Sequence, residues 1–248
     1  MRMPNVLFFN PTIQEDILKY LDVVFAALFC ALCALATFPV TAQAFKAWTL
    51  ANPLLSSFIK FALLGTFGEC LALRLYTGRY CVPGLAPKML MWGVNGVIIA
   101  MAFAVFTNGT GNLMQLLGIP GSSAPASLFE RCLWAFSVSV TFNLVFSPVF
   151  MLFHKLTDTH IVHTGGRLGR FLSTPPAPAR YFSEINWDIM WGFTFKKAIP
   201  FFLIPANTIT FMLPPHLRIL SAGIIGIGLG LILAAALHKA KLRNAVTA

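Results

Sequence analysis

Of this chain's 248 residues, 57% are hydrophobic and only 10% are charged, too few to clothe a soluble surface, since charged side chains make up about a quarter of an ordinary globular domain. The net charge of +10 raises nucleic acid as a partner, but the basic residues lie mostly in short connections between apolar runs and form no stripe on a soluble face. That placement excludes a nucleic-acid partner and points to anionic lipid headgroups as the counter-charge of a protein set in the lipid bilayer.

Residues 1–20 precede the first apolar run and carry Glu15, Asp16 and Lys19, while Asn10-Pro11 reads as a helix cap with proline in first position. A secretory signal ends at a small-residue cleavage site, so this stretch is expected to be retained as an interfacial N-terminus. Six apolar segments follow: Leu21–Val40, Ser57–Leu75, Met89–Phe106, Cys132–Phe153, Ile189–Leu213 and Ile219–Leu237. Each has about 18 to 25 residues, enough for a helix to cross a hydrocarbon core ~30 Å thick. None alternates apolar with polar residues, which excludes a barrel. The expected fold is all-α: a multi-pass transmembrane helix bundle of six spans, one domain over residues 1–248.

Ser127-x-x-Glu130 is a capping box just before the fourth span, and all five tryptophans fall near a span end, where an aromatic belt belongs. Assigning Lys and Arg to alternate sides gives twelve on one side, among them Arg79, Lys88, Lys155, Arg167 and Arg170, against Lys46, Arg131 and Arg218 on the other. Positive residues stay inside, so both termini are expected on the cytoplasmic side, and a bacterial inner membrane fits, or an organellar one in a eukaryote. The longest connection, residues 154–188, contains Gly165-Gly166 and Pro175-Pro176 and is expected as a loop on that same side, along the headgroups.

Polar residues inside apolar runs are the candidate functional groups. Glu69 lies in an otherwise uncharged stretch, and Lys196 or Lys197, at similar depth in the fifth span, is its expected ion-pair partner; a protonated carboxyl bonded to a neighbouring helix is the alternative. Asn95, Asn143 and Asn207 add polar groups to the third, fourth and fifth spans, and Lys60 is expected to snorkel. Pro200 and Pro205 each remove a backbone donor and mark a hinge in the fifth span. Gly226-x-x-x-Gly230 permits close helix packing, within the monomer or across a homo-oligomer seam.

Of the five cysteines, Cys30, Cys33 and Cys70 sit inside apolar runs, and Cys30-x-x-Cys33 lacks the βαβ setting of a redox motif. His154, Asp158, His160 and His163 cluster in sequence but match no metal-ligand spacing. No phosphate-cradling loop or serine elbow occurs, so no catalytic residue, metal or cofactor is assigned and no enzyme activity is expected.

Several motifs resemble the Mpv17/PMP22 family of small multi-pass membrane proteins, here as a bacterial relative. Gly68-Glu69 is similar to that family's Gly-Asp step, and Asn143-Leu-Val-Phe-Ser-Pro148 to its Gln-x-x-x-Gly-Pro segment. Lys197-Ala-Ile-Pro200 is similar to its Lys-x-Trp-Pro, with Ile199 in the tryptophan's place, and Pro214-x-x-x-Arg218 to its Pro-x-x-x-Arg before the last helix. The resemblance covers about residues 57–237 and implies an integral membrane protein, with pore-like behaviour in some members. The leading expectation is a channel or small-solute permeation pathway through a polar interior of Glu69, Asn95, Asn143, Lys196 or Lys197, and Asn207. The alternatives are a non-transporting scaffold or lipid-binding subunit, and a lipid-directed enzyme in which His154, His160 and His163 converge.

Overall fold

The computed structural model describes residues 20, 22–24, 27, 30–31, 39–78, 80, 82–120 and 127–246, with 39–40 and 237–246 described by backbone alone. The expected first span, Leu21–Val40, lies largely outside this set, and the Asn10-Pro11 cap, Cys33, Arg79 and Cys81 lie wholly outside it. Among the described residues every regular element is helical. The chain divides into two units, Met1–Ala51 and Asn52–Ala248. The first holds helix α1, Pro39–Ala51. The second holds α2 (Pro53–Thr77), α3 (Leu85–Leu116), α4 (Leu128–His163), the short α5 (Leu168–Ser173) and α6 (Pro178–Ser183), α7 (residues 187–212) and α8 (Pro215–Val246).

Local chemistry sets the ends. Pro53 opens α2, and Gly78, at φ 73°, closes it: its N–H donates to the Arg74 carbonyl at 2.9 Å, while Arg74 Nη1 donates back to the Gly78 carbonyl. Ser127 caps α4 by accepting from the Glu130 N–H at 3.2 Å, the first half of the expected capping box. Nothing between Phe153 and Thr164 breaks a helix, so α4 runs on to His163 and stops at Gly165 and Gly166, both at φ 68°. Residues 154–163, expected as loop, are the last turns of α4.

Two prolines widen the helices that hold them. Pro148 cannot donate to Leu144, and α4 answers with a π-turn over Phe142–Phe146, the Ser147 N–H donating to the Phe142 carbonyl. In α7 the π-geometry extends over Met190–Leu203 around Pro200, before Ile204–Met212 returns to α-geometry.

α2, α3, α4 and residues Pro215–Ala236 of α8 are long and apolar enough to cross a membrane. They correspond to the expected second, third, fourth and sixth spans. α7, the expected fifth, is helical throughout but changes register midway and is not among these four. α2 packs on α3 and α8, and α4 on the second half of α7. Phe103, Phe142 and Phe211 form the aromatic centre of the core, with Phe103 ring centroids 5.0 and 4.8 Å from the other two.

Close approach falls on glycines other than the expected pair. A Cβ on Gly68 of α2 would come within 2.9 Å of Ile227 Cγ1, and one on Gly223 of α8 within 2.6 Å of Leu64 Cδ1. Gly226 and Gly230 have no such neighbour within 4 Å.

Candidate functional site

Three helices bring their polar residues to one end of the second unit. α3 contributes Lys88, Trp92 and Asn95 at i, i+4 and i+7, a spacing that places all three on one face. α4 contributes His154 and Asp158, again one turn apart, and α2 contributes Glu69. Lys88 stands in the first turn of α3 and Asp158 near the end of α4, the wrong ends of the helix dipole for a cation and an anion. Each is therefore stabilised by its ionic partner.

Lys88 Nζ lies 2.5 Å from Glu69 Oε2 and 3.3 Å from Asp158 Oδ1. The other Glu69 oxygen accepts from Trp92 Nε1 at 2.7 Å. The Trp92 indole tilts over His154 with centroids 4.5 Å apart. Asn95 Nδ2 is 3.2 Å from His154 Nδ1; an amide can only donate to a ring nitrogen from that atom, so the imidazole proton sits on Nε2, which faces Asp158 Oδ2 at 3.8 Å. Asn95 is fully buried, and its Oδ1 has no hydrogen-bond partner. Glu69, His154 and Asp158 each offer an atom within 4.8 Å of the others, a grouping that suits a bound cation. The Lys88 ammonium already supplies that positive charge, and two carboxylates against one ammonium leave one negative charge over.

Glu69 pairs with Lys88 and not with the expected Lys196 or Lys197. Lys196 and Lys197 are exposed, and Lys196 Nζ stands 5.9 Å from the Trp191 ring centre, so neither belongs to a polar interior. Lys88 is one of the expected loop cations, and Trp92 one of the expected belt tryptophans. The signal for both was the spacing 88, 92, 95, legible once α3 is extended back to Leu85. Trp134 likewise leaves the expected belt: it is buried in the core, whereas Trp48, Trp187 and Trp191 are exposed. Lys60, expected to snorkel, is buried in protein.

Asn143 and Asn207 form a second, separate cluster. Asn143 Nδ2 donates to the Ser139 carbonyl at 2.8 Å, and its Oδ1 accepts from Ser147 Oγ and Asn207 Nδ2, each at 3.1 Å. Ser139 Oγ donates to the Ile204 carbonyl at 2.7 Å, so this cluster fastens α4 to α7 beside both prolines. Pro200 lies inside the π-helical stretch and Pro205 just after it.

The three imidazoles diverge. His154 faces Asn95 and Asp158; His160 Nδ1 meets the Tyr181 hydroxyl at 2.8 Å and its Nε2 the Phe171 carbonyl at 3.1 Å; His163 Nε2 lies 2.8 Å from Glu184. A carbonyl only accepts, so His160 Nε2 carries the proton and Tyr181 donates to Nδ1. These bonds hold α5 and α6 against α4 around an apolar cavity of about 420 Å³ lined by Met91, Phe153, Leu156, Phe171, Leu172 and Tyr181, among others. A smaller cavity of about 160 Å³ lies at the far end of α4, against Arg131 and Arg218. Neither cavity touches Glu69, Asn95, Asn143 or Asn207.

Comparison with protein-family models, with curated proteins and with solved structures returns no match to this chain.

Proposed function

We propose that this integral membrane protein is a non-conducting lipid-binding or scaffolding subunit, whose ionic cluster locks α2, α3 and α4 together. The observation that carries this reading is the engagement of both Glu69 oxygens, one by Lys88 and one by Trp92. A carboxylate that serves a permeant faces a water-filled path, whereas both Glu69 oxygens are held by side chains of the bundle. The apolar cavity beside α5 and α6, at the end where the basic connections gather, suits an acyl chain. Membership of the Mpv17/PMP22 family and residence in a bacterial inner membrane are parts of the same proposal, supported by the motifs around Glu69, Pro148, Pro200 and Arg218.

A second reading, a permeation pathway in its closed state, is favoured by one feature. The wide helix over Met190–Leu203, with Pro200 inside it, can return to α-geometry and so turn the face it presents to α4. Reconstituted liposomes separate the two. With wild type, Glu69→Gln and Lys88→Met, leakage of small ions and metabolites is expected to match empty vesicles, and native mass spectrometry to retain bound lipid. Flux through wild type that changes in Glu69→Gln overturns the non-conducting reading in favour of the pathway.

A further inference from the structure

We propose that the small cavity at the far end of α4 is an oxyanion site that takes a phosphate group. It lies among the start of α4, the end of α7 and the start of α8, and its volume of about 160 Å³ far exceeds the ~10–15 Å³ that one water needs. Two arginines line it, Arg131 and Arg218, and no carboxylate does. Arg218 is pinned from both sides: its Nε donates to the Leu213 carbonyl at 3.0 Å, and its guanidinium carbon stands 5.4 Å from the ring centre of the buried Trp134. Its two Nη groups make no hydrogen bond among the described residues, so the free fork of the guanidinium is held in place and unused. Arg131 Nη2 comes to 3.5 Å of the Met212 carbonyl, across the same cavity.

One further feature favours an anion. α4 and α8 both begin at this site, and helix N-termini carry partial positive charge. Pro214 and Pro215 line the wall and have no N–H to offer, so the side-chain donors of the lining are the two guanidinium groups and the Trp134 indole. A planar fork that donates two parallel bonds matches phosphate oxygens better than a spherical halide. The phosphate can arrive on a lipid headgroup or as a soluble anion, because the site lies at a helix end.

The inference holds whether or not the bundle conducts, and its test uses the whole purified protein. Thermal unfolding in detergent is followed against inorganic phosphate, and native mass spectrometry counts adducts of phosphatidylglycerol after exchange from nanodiscs. Arg218→Met and Arg131→Met are each expected to weaken the bound species by at least about tenfold, with Arg218→Lys intermediate and Arg74→Met, at the other end of the bundle, unchanged. Loss of lipid adducts assigns the site to a headgroup; loss of phosphate-induced stabilisation assigns it to a soluble anion. Arg131 is exposed, so Arg131→Met keeps the test valid should Arg218→Met fail to fold. Absence of both ligands from wild type, or binding unaltered in Arg131→Met and Arg218→Met, overturns the proposal.

Discussion

Lys88 shows how one side chain changes the meaning of its neighbours. Without it, Glu69 and Asp158 lose the ammonium they share in a partly buried gap, and removing one partner of a buried pair costs about 3–5 kcal/mol. Lys88→Met is therefore expected to lower the unfolding temperature in detergent sharply, and Lys88→Met with Glu69→Gln to recover part of the loss by removing one of the stranded carboxylates. A Lys88→Met protein as stable as wild type would show that the cluster locks nothing. The sequence disclosed Glu69 because a lone acid in an apolar run is conspicuous. It hid Lys88 because a lysine near a helix end looks like any headgroup cation, and only the register of α3 turns it inward.

At the scale of elements, small residues decide where helices meet. Gly226-x-x-x-Gly230 has the familiar spacing, yet the contact between α2 and α8 passes through Gly68 and Gly223. Spacing reveals that a face is smooth, whereas the rotation of the helix decides which neighbour meets it. Gly68→Leu is expected to push α8 away and cost about 1–3 kcal/mol, whereas Gly226→Ala is expected to stay within about 0.5 kcal/mol of wild type, both read from thermal unfolding. Equal effects at the two positions would contradict the packing described here.

The connection after α4 carries its own pH dependence. Hydrogen bonding from His163 first, and from Arg180 second, holds the Glu184 carboxyl below the usual carboxylate range. A group with a depressed folded pKa contributes stability above its unfolded value and loses it as pH falls through the folded one. Protection of residues 164–186 from limited proteolysis is thus expected to persist through the ordinary glutamate range and to fail only below it. Glu184→Gln should weaken protection at neutral pH and flatten the profile. A wild-type profile that breaks at the ordinary glutamate pKa would remove His163 and Arg180 from the account.

At the scale of the whole molecule, hydropathy located the starts of α2, α3, α4 and α8 to within about four residues, because a run of apolar side chains in lipid leaves the backbone no option but a helix, but it stopped α3 and α4 about ten residues short. It misjudged how far α4 continues, since Thr157, Asp158 and His160 look like loop residues until the missing glycine or proline is noticed. α7 is the element on which topology turns. Arg131 of α4 reaches Met212, and Ser139 reaches Ile204, so α7 runs antiparallel to α4 and ends where α4 begins. Crossing by α7 then places Asn52, Leu117, Ser127 and Pro214 on one side of the membrane, and Gly78 and Gly169 on the other. In a protein freed of its own cysteines, single cysteines at the first four positions should react with an impermeant maleimide from the outer side only, and those at Gly78 and Gly169 from the cytoplasmic side only. That expected polarity rests on the basic residues near Gly78 and Gly169. Labelling of Pro214→Cys from the same side as Gly169→Cys would mean that α7 lies along the membrane and does not cross it.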